Sequence, residues 1–181
     1  MIEIEKLTLV NYCHPDCIPL RNIMRQSKES AFKMAKDFAD AHPETTAFYR
    51  FADFENYYKL RETQDKYLHH EFIAIGGNPE TEHPLSFVIE GSSYLKDWFG
   101  NGIETRIPLC GISEKHISFT LGDRGAEYGR NGSVRLFGLQ DMTELLSKQT
   151  GDFNNFLKSI GKQYVEVQLW SDEYVPPAGR G

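Results

Sequence analysis

Gln163-Tyr164-Val165-Glu166-Val167-Gln168-Leu169-Trp170 is the stretch on which the reading of the fold turns. Its residues alternate. Val165, Val167 and Leu169 fall on one parity, and Tyr164, Glu166, Gln168 and Trp170 on the other. β-branched and aromatic residues dominate it, so it reads as a strand. The apolar parity predicts a core face. The other parity sets a carboxylate between aromatic side chains, which suits either a solvated sheet face or the floor of a cleft. We take it as the floor of a cleft.

Working outward, Gly161 ends a helix that Asp152 caps and that runs to Ile160, and Asp141 caps another that runs to Gln149. Period-two segments precede them: Leu85 to Glu90, residues 103–109 and residues 116–121 read as strands, with Gly91-Ser92-Ser93 leading into a short helix from Tyr94 to Phe99 capped by Ser93. Gly122 to Gly132, glycine-rich and charged, reads as a loop or mobile flap.

The first third is different in character. Residues 4–13 predict a strand, ended by Pro15 and Pro19, with a helical turn over Leu20 to Met24. Ser27 caps a helix from Lys28 to Ala41 whose Ala31, Phe32, Ala35, Phe38 and Ala39 make one buried stripe. Phe48 to Phe51 reads as a short strand. Asp53 then opens a long helix that reaches Ile75, with the polar run Arg61 to Lys66 either exposed or breaking it, and Gly76-Gly77 stops it. Helices cluster early and strands late. The expectation is an α+β fold, a mainly antiparallel sheet with the early helices packed on it, as a single domain over 1–175 with a disordered tail over 176–181.

Composition excludes several classes. The 181 residues are 40% hydrophobic and 25% charged, which suits a soluble globular domain with a core of its own. A net charge of −6 argues against a general nucleic-acid-binding surface. No apolar run approaches the roughly 18 residues that would span a bilayer. Three cysteines, Cys13, Cys17 and Cys110, without an export signal at the start, predict a reducing, cytoplasmic setting.

Candidate chemistry is sparse. Glu166 is the catalytic candidate, because an anionic carboxylate stabilises a forming cation and accepts hydrogen bonds from ribose hydroxyls; its plain alternative is a polar residue on a wet strand face. Tyr164 and Trp170 on the same parity suit a planar ring. His14, in Asn11-Tyr12-Cys13-His14-Pro15-Asp16-Cys17, is either a ligand-orienting donor at a strand end or a histidine satisfied by a local backbone contact. Cys13, His14 and Cys17 lack the second pair of ligands a structural zinc needs, so no metal is expected. Arg124 is a candidate anion-holder on the flap. Glu90 with Asp97, or Asp123 with Glu127, would be the carboxylate pair of a hydrolase. No nucleophile elbow, phosphate-cradling loop or dinucleotide glycine fingerprint is present.

Three patches together resemble the ADP-ribosyltransferase-like superfamily, in its histidine-bearing branches. They are His14 in Tyr12-Cys13-His14 followed by Leu20 to Met24, Tyr94 after the strand Ser86 to Gly91, and Glu166 in Tyr164-Val165-Glu166-Val167. The resemblance implies that His14 holds the ribose of NAD, Tyr94 stacks on nicotinamide, and Glu166 directs attack on the ribose carbon, with a nucleic-acid or protein acceptor. Lys28 to Ile75 would then be an insertion. The other reading is a non-enzymatic binding protein, an immunity or regulatory partner, which the acidic balance and abundant tyrosines suit.

Overall fold

A computed structural model describes residues 1–176; except for Pro176, the expected disordered tail lies outside the described residues. The chain is α+β. Five strands, β1 (Thr8–Cys13), β2 (Leu85–Ile89), β3 (Ile103–Pro108), β4 (Ile117–Thr120) and β5 (Glu166–Leu169), form one sheet in the order β3-β1-β2-β5-β4. Every pairing is antiparallel. The quoted stretch supplies the fourth position of that order, with Glu166 opposite Val88 on one side and Thr120 on the other.

The two faces of the sheet do different things. Val165, Val167 and Leu169 point into the main core with Leu9, Phe87, Ile89, Ile117 and Phe119. Helices α5 (Leu139–Ser147) and α6 (Phe153–Ser159) close that face through Met142, Leu146, Phe153, Phe156 and Leu157. Asp152 caps α6 by accepting from the Asn155 N–H. Asp141 sits one turn inside α5, not ahead of it, and accepts from the Gly138 N–H that opens the helix.

On the opposite face lie α1 (Lys28–Ala41) and α2 (Phe54–Ala74), packed together through Ala31, Ala35 and Phe54. Ser27 caps α1 as its position predicts, accepting from Ser30. Two expectations fail here. Thr46–Asp53 is a 3-10 helix, because Phe48 and Phe51 both turn onto neighbouring rings and no strand is at hand to pair with them. The polar run Arg61 to Lys66 neither breaks α2 nor faces water throughout: Gln64 and Asp65 are buried.

The end of α2 is a Schellman motif. The Gly76 N–H donates to Ile73 and the Gly77 N–H to Phe72, with Gly76 at φ +94°. A Cβ on Gly77 would lie 2.5 Å from the buried Phe72 ring. Gly77→Ala is therefore expected to destabilise the protein by about 1–3 kcal/mol, the usual cost of overpacking. Chemical denaturation measures it, and an unchanged midpoint would show that Phe72 can move aside.

Candidate functional site

Glu166 opens β5 on the helical side of the sheet, and its carboxylate is claimed by the segment expected to be a flap. That segment is instead a helix, α4 (Arg124–Asn131), capped by Asp123, whose Oδ1 accepts from the Ala126 N–H at 3.0 Å. The capping fixes the first turn, so Arg124 approaches Glu166 twice. Its backbone N–H, one of the donors a helix leaves unpaired at its start, bonds Oε2 at 3.1 Å, and its guanidinium Nη1 pairs with Oε1. The same Nη1 donates to Ser86 Oγ on β2 at 3.1 Å.

Behind this pair stands α2. Asp65 Oδ1 lies 3.8 Å from Arg124 Nη2, Asp65 Oδ2 lies 3.7 Å from Arg61 Nη2, and the same Oδ2 is 2.8 Å from His83 Nδ1. Arg61 in turn donates to the Tyr57 hydroxyl at 2.9 Å. Two buried atoms, Arg61 Nε and Asp65 Oδ1, have no hydrogen-bond partner. The result is a buried chain of alternating charge, Arg61, Asp65, Arg124 and Glu166, strung from helix to sheet.

Its two carboxyls are pushed in opposite directions. Burial raises Glu166 above the ordinary glutamate value, and the charge of Arg124 offsets only part of that. Burial would also raise Asp65, but Arg61, the His83 hydrogen bond and Arg124 outweigh it and hold Asp65 low.

Over the chain lie two adjacent chambers that share part of their lining. The smaller, about 260 Å³, has Glu166 and Arg124 at its foot and Tyr94, Trp98 and Tyr164 in its walls. Tyr94, on α3 (Ser93–Trp98), stacks on Tyr164 with ring centroids 6.4 Å apart and leans on Trp98 at 5.7 Å. It is 43% exposed and so open to a ligand. Ser92, not Ser93, caps α3 by accepting from Leu95. The larger chamber, about 590 Å³, is lined by His14, Cys13 and Cys17 and by aromatic residues of α1 and the 3-10 helix. Arg50, Arg61, Tyr57, Asn11 and Ser86 line both, and so mark the junction.

The residues read from sequence thus separate into three places. Tyr94, Tyr164 and Glu166 meet in the smaller chamber. His14 lies in the adjoining one, buried, its Nδ1 accepting from the Asp16 N–H at 3.1 Å. Trp170 lines neither. It is fully buried, stacked on Phe72 at 5.5 Å, with its Nε1–H given to Ser118 Oγ at 2.9 Å. The ring belongs to the seam between α2 and the sheet, because α2 extends unbroken over that end of β5. Gln168 is covered with it and bonds Ser118 and Thr120. The β1 and β5 strands are also not neighbours: β2 runs between them.

Sequence reasoning missed Arg61 and Asp65. The signal was present: Arg61, Gln64, Asp65, Leu68 and Phe72 recur at helical spacing, which places polar residues on the apolar stripe itself. The carboxylate pairs Glu90 with Asp97 and Asp123 with Glu127 do not form a two-carboxylate centre: Glu90 accepts from the Thr8 N–H and Asp123 caps α4.

Comparison with known protein families, with curated proteins and with solved structures finds no match. Among the described residues, no helix is long and apolar enough to cross a membrane.

The opposed shifts give a pH test. Asp65 is held low, so its contribution to stability is present at neutral pH and lost as pH falls through its folded value. Glu166 is raised, so folding is favoured in acid and weakened as pH rises from the ordinary glutamate value through the folded one. Asp65→Asn should flatten the acid limb of the stability profile and cost about 3–5 kcal/mol at neutral pH by leaving buried arginines unpaired. Glu166→Gln should gain stability relative to the parent as pH rises through the Glu166 window. Urea unfolding across pH 3 to 8 reads both slopes, and parallel profiles for variant and parent would refute the assignments.

Proposed function

We propose that this chain is an NAD-using, ADP-ribosyltransferase-like enzyme acting on a nucleic-acid or protein acceptor. The observation that carries the reading is the placement of Glu166: an oriented carboxylate at the foot of an aromatic-walled chamber that shares lining residues with a second, larger one. A dinucleotide has two ring-bearing ends and a diphosphate between them. Two chambers joined where Arg50 and Arg61 stand suit that shape and charge.

In this reading the nicotinamide ring rests against Tyr94, whose face is partly free, with Tyr164 behind it. The bond between nicotinamide nitrogen and ribose C1′ breaks, and nicotinamide leaves as a neutral molecule with the electron pair. The positive charge left on the ribose carbon develops near the Glu166 carboxylate, which Arg124 holds in place and α4 shields from water. An acceptor nitrogen or oxygen then bonds C1′ and gives up its proton. His14 orients the far part of the dinucleotide from the larger chamber. Trp170 takes no part. The three cysteines are free thiols, which suits a reducing, cytoplasmic setting.

Millimolar NAD should raise the unfolding midpoint, with saturation at 100 times Kd worth about 2.7 kcal/mol. Tyr94→Ala should reduce that shift, since an aromatic pair contributes about 0.5–1.5 kcal/mol beyond its area. Glu166→Gln should keep the shift and abolish nicotinamide release, followed by chromatography. No midpoint shift with NAD, and no difference between Glu166→Gln and parent in nicotinamide release, returns the chain to the class of binding proteins.

A further inference from the structure

We infer that His14, Asp16 and His42 form a binding site for a divalent transition cation at the mouth of the larger chamber. One donor atom from each lies within 4.8 Å of the other two. Two imidazoles and a carboxylate are the donor set that zinc, cobalt and nickel share. The site is assembled from separate parts of the chain: His14 and Asp16 follow the end of β1, and His42 is the residue on which α1 ends.

The imidazoles are held in place. Their ring centroids are 4.3 Å apart, and Phe48 packs against both, at 5.2 Å from His14 and 6.0 Å from His42. The Nδ1 of His14 faces Asp16 and accepts its N–H, a bond that a cation taken at Nδ1 would displace. The Nε2 of His42 lies 2.9 Å from Asp16 Oδ2, so a proton now bridges the two atoms a cation would join. On the other edge of His42, Nδ1 is 3.9 Å from Glu44 Oε1, beyond hydrogen-bond reach.

Distances decide whether the set can close. Donors around a cation at about 2.1 Å lie roughly 3.0 to 4.2 Å from one another. Tetrahedral donors sit about 3.4 Å apart, so the cluster needs to contract by about 1.4 Å or less at its widest. Rotation of Asp16, whose side chain is 62% exposed, supplies that and leaves open positions for water.

Cobalt(II) titrated into the full chain at pH 7.5, read by visible absorption and calorimetry, tests this. One equivalent should bind with ligand-field bands of nitrogen and oxygen donors. Asp16→Asn, at the surface, and His42→Ala, at a half-buried ring, should each weaken binding about 100-fold or more. His70→Ala, on an exposed face of α2, should change nothing. The inference is overturned by an absence of saturable uptake below about 1 mM, by uptake that survives both ligand substitutions in folded protein, or by an intense sulfur-to-cobalt band that assigns the cation to Cys13 and Cys17.

Discussion

The molecule is organised around a buried electrostatic constraint: the guanidinium of Arg124 sits between the carboxylates of Glu166 and Asp65, with Arg61 closing the series. Removing four charges from water costs several kcal/mol each, and their mutual attraction repays that only when the geometry is nearly complete. Here it is incomplete, since Arg61 Nε and Asp65 Oδ1 lack hydrogen bonds. An apolar filling of the same space would hold α2 to the sheet at least as well. The series is therefore better understood as something the core supports than as something that supports the core. The packing that bears it is on the other face, where α5 and α6 cover an apolar sheet without a break.

That division explains the shape of the cleft. Toward its C-terminal end α2 seals the sheet through Phe72, Leu68 and Trp170. Toward its N-terminal end it leans instead on α1 through Phe54. The charged residues lie where one contact gives way to the other, so the helix passes from sheet cover to cleft wall within two turns. α4 fits the same point from the opposite side, with Gln64 donating to the Gly125 carbonyl at 3.3 Å. Position and orientation of Glu166 thus depend on three elements far apart in sequence, which is how a carboxylate is kept rigid inside a cavity.

What was legible in the sequence follows the strength of local rules. Caps and stops are local, so Ser27, Asp152 and Gly76-Gly77 mark their helix ends directly. The alternation of the last strand is local too, and its apolar parity was readable as core. The other parity was not uniform, because what covers a sheet face is decided by tertiary packing. Tyr164 and Glu166 reach a cleft, while Gln168 and Trp170 lie under α2. Gly122 to Gly132 looked like a flap on composition. A capped start at Asp123 and a left-handed Gly132 at its end make it a helix, and composition alone hides both. Arg61 and Asp65 were overlooked because a run of charged residues reads as a wet face unless its phase is compared with the apolar stripe.

The separation of His14 from Glu166 constrains any ligand more tightly than either residue alone. With β2 between β1 and β5, the two side chains serve different chambers, and the passage between them is bordered by Arg50 and Arg61. Arg50 rests on the Tyr49 and Tyr57 rings, and Arg61 pairs with Asp65, which it shares with Arg124 and His83. A compact neutral molecule would use one chamber and leave two guanidiniums facing an empty junction. The ligand of the proposed reading is elongated, carries its negative charge near the middle, and presents a planar ring at the Glu166 end. In the proposed reading the order of features along the ligand, ring, then anion, then a second group near His14, follows from the strand arrangement rather than from any single residue.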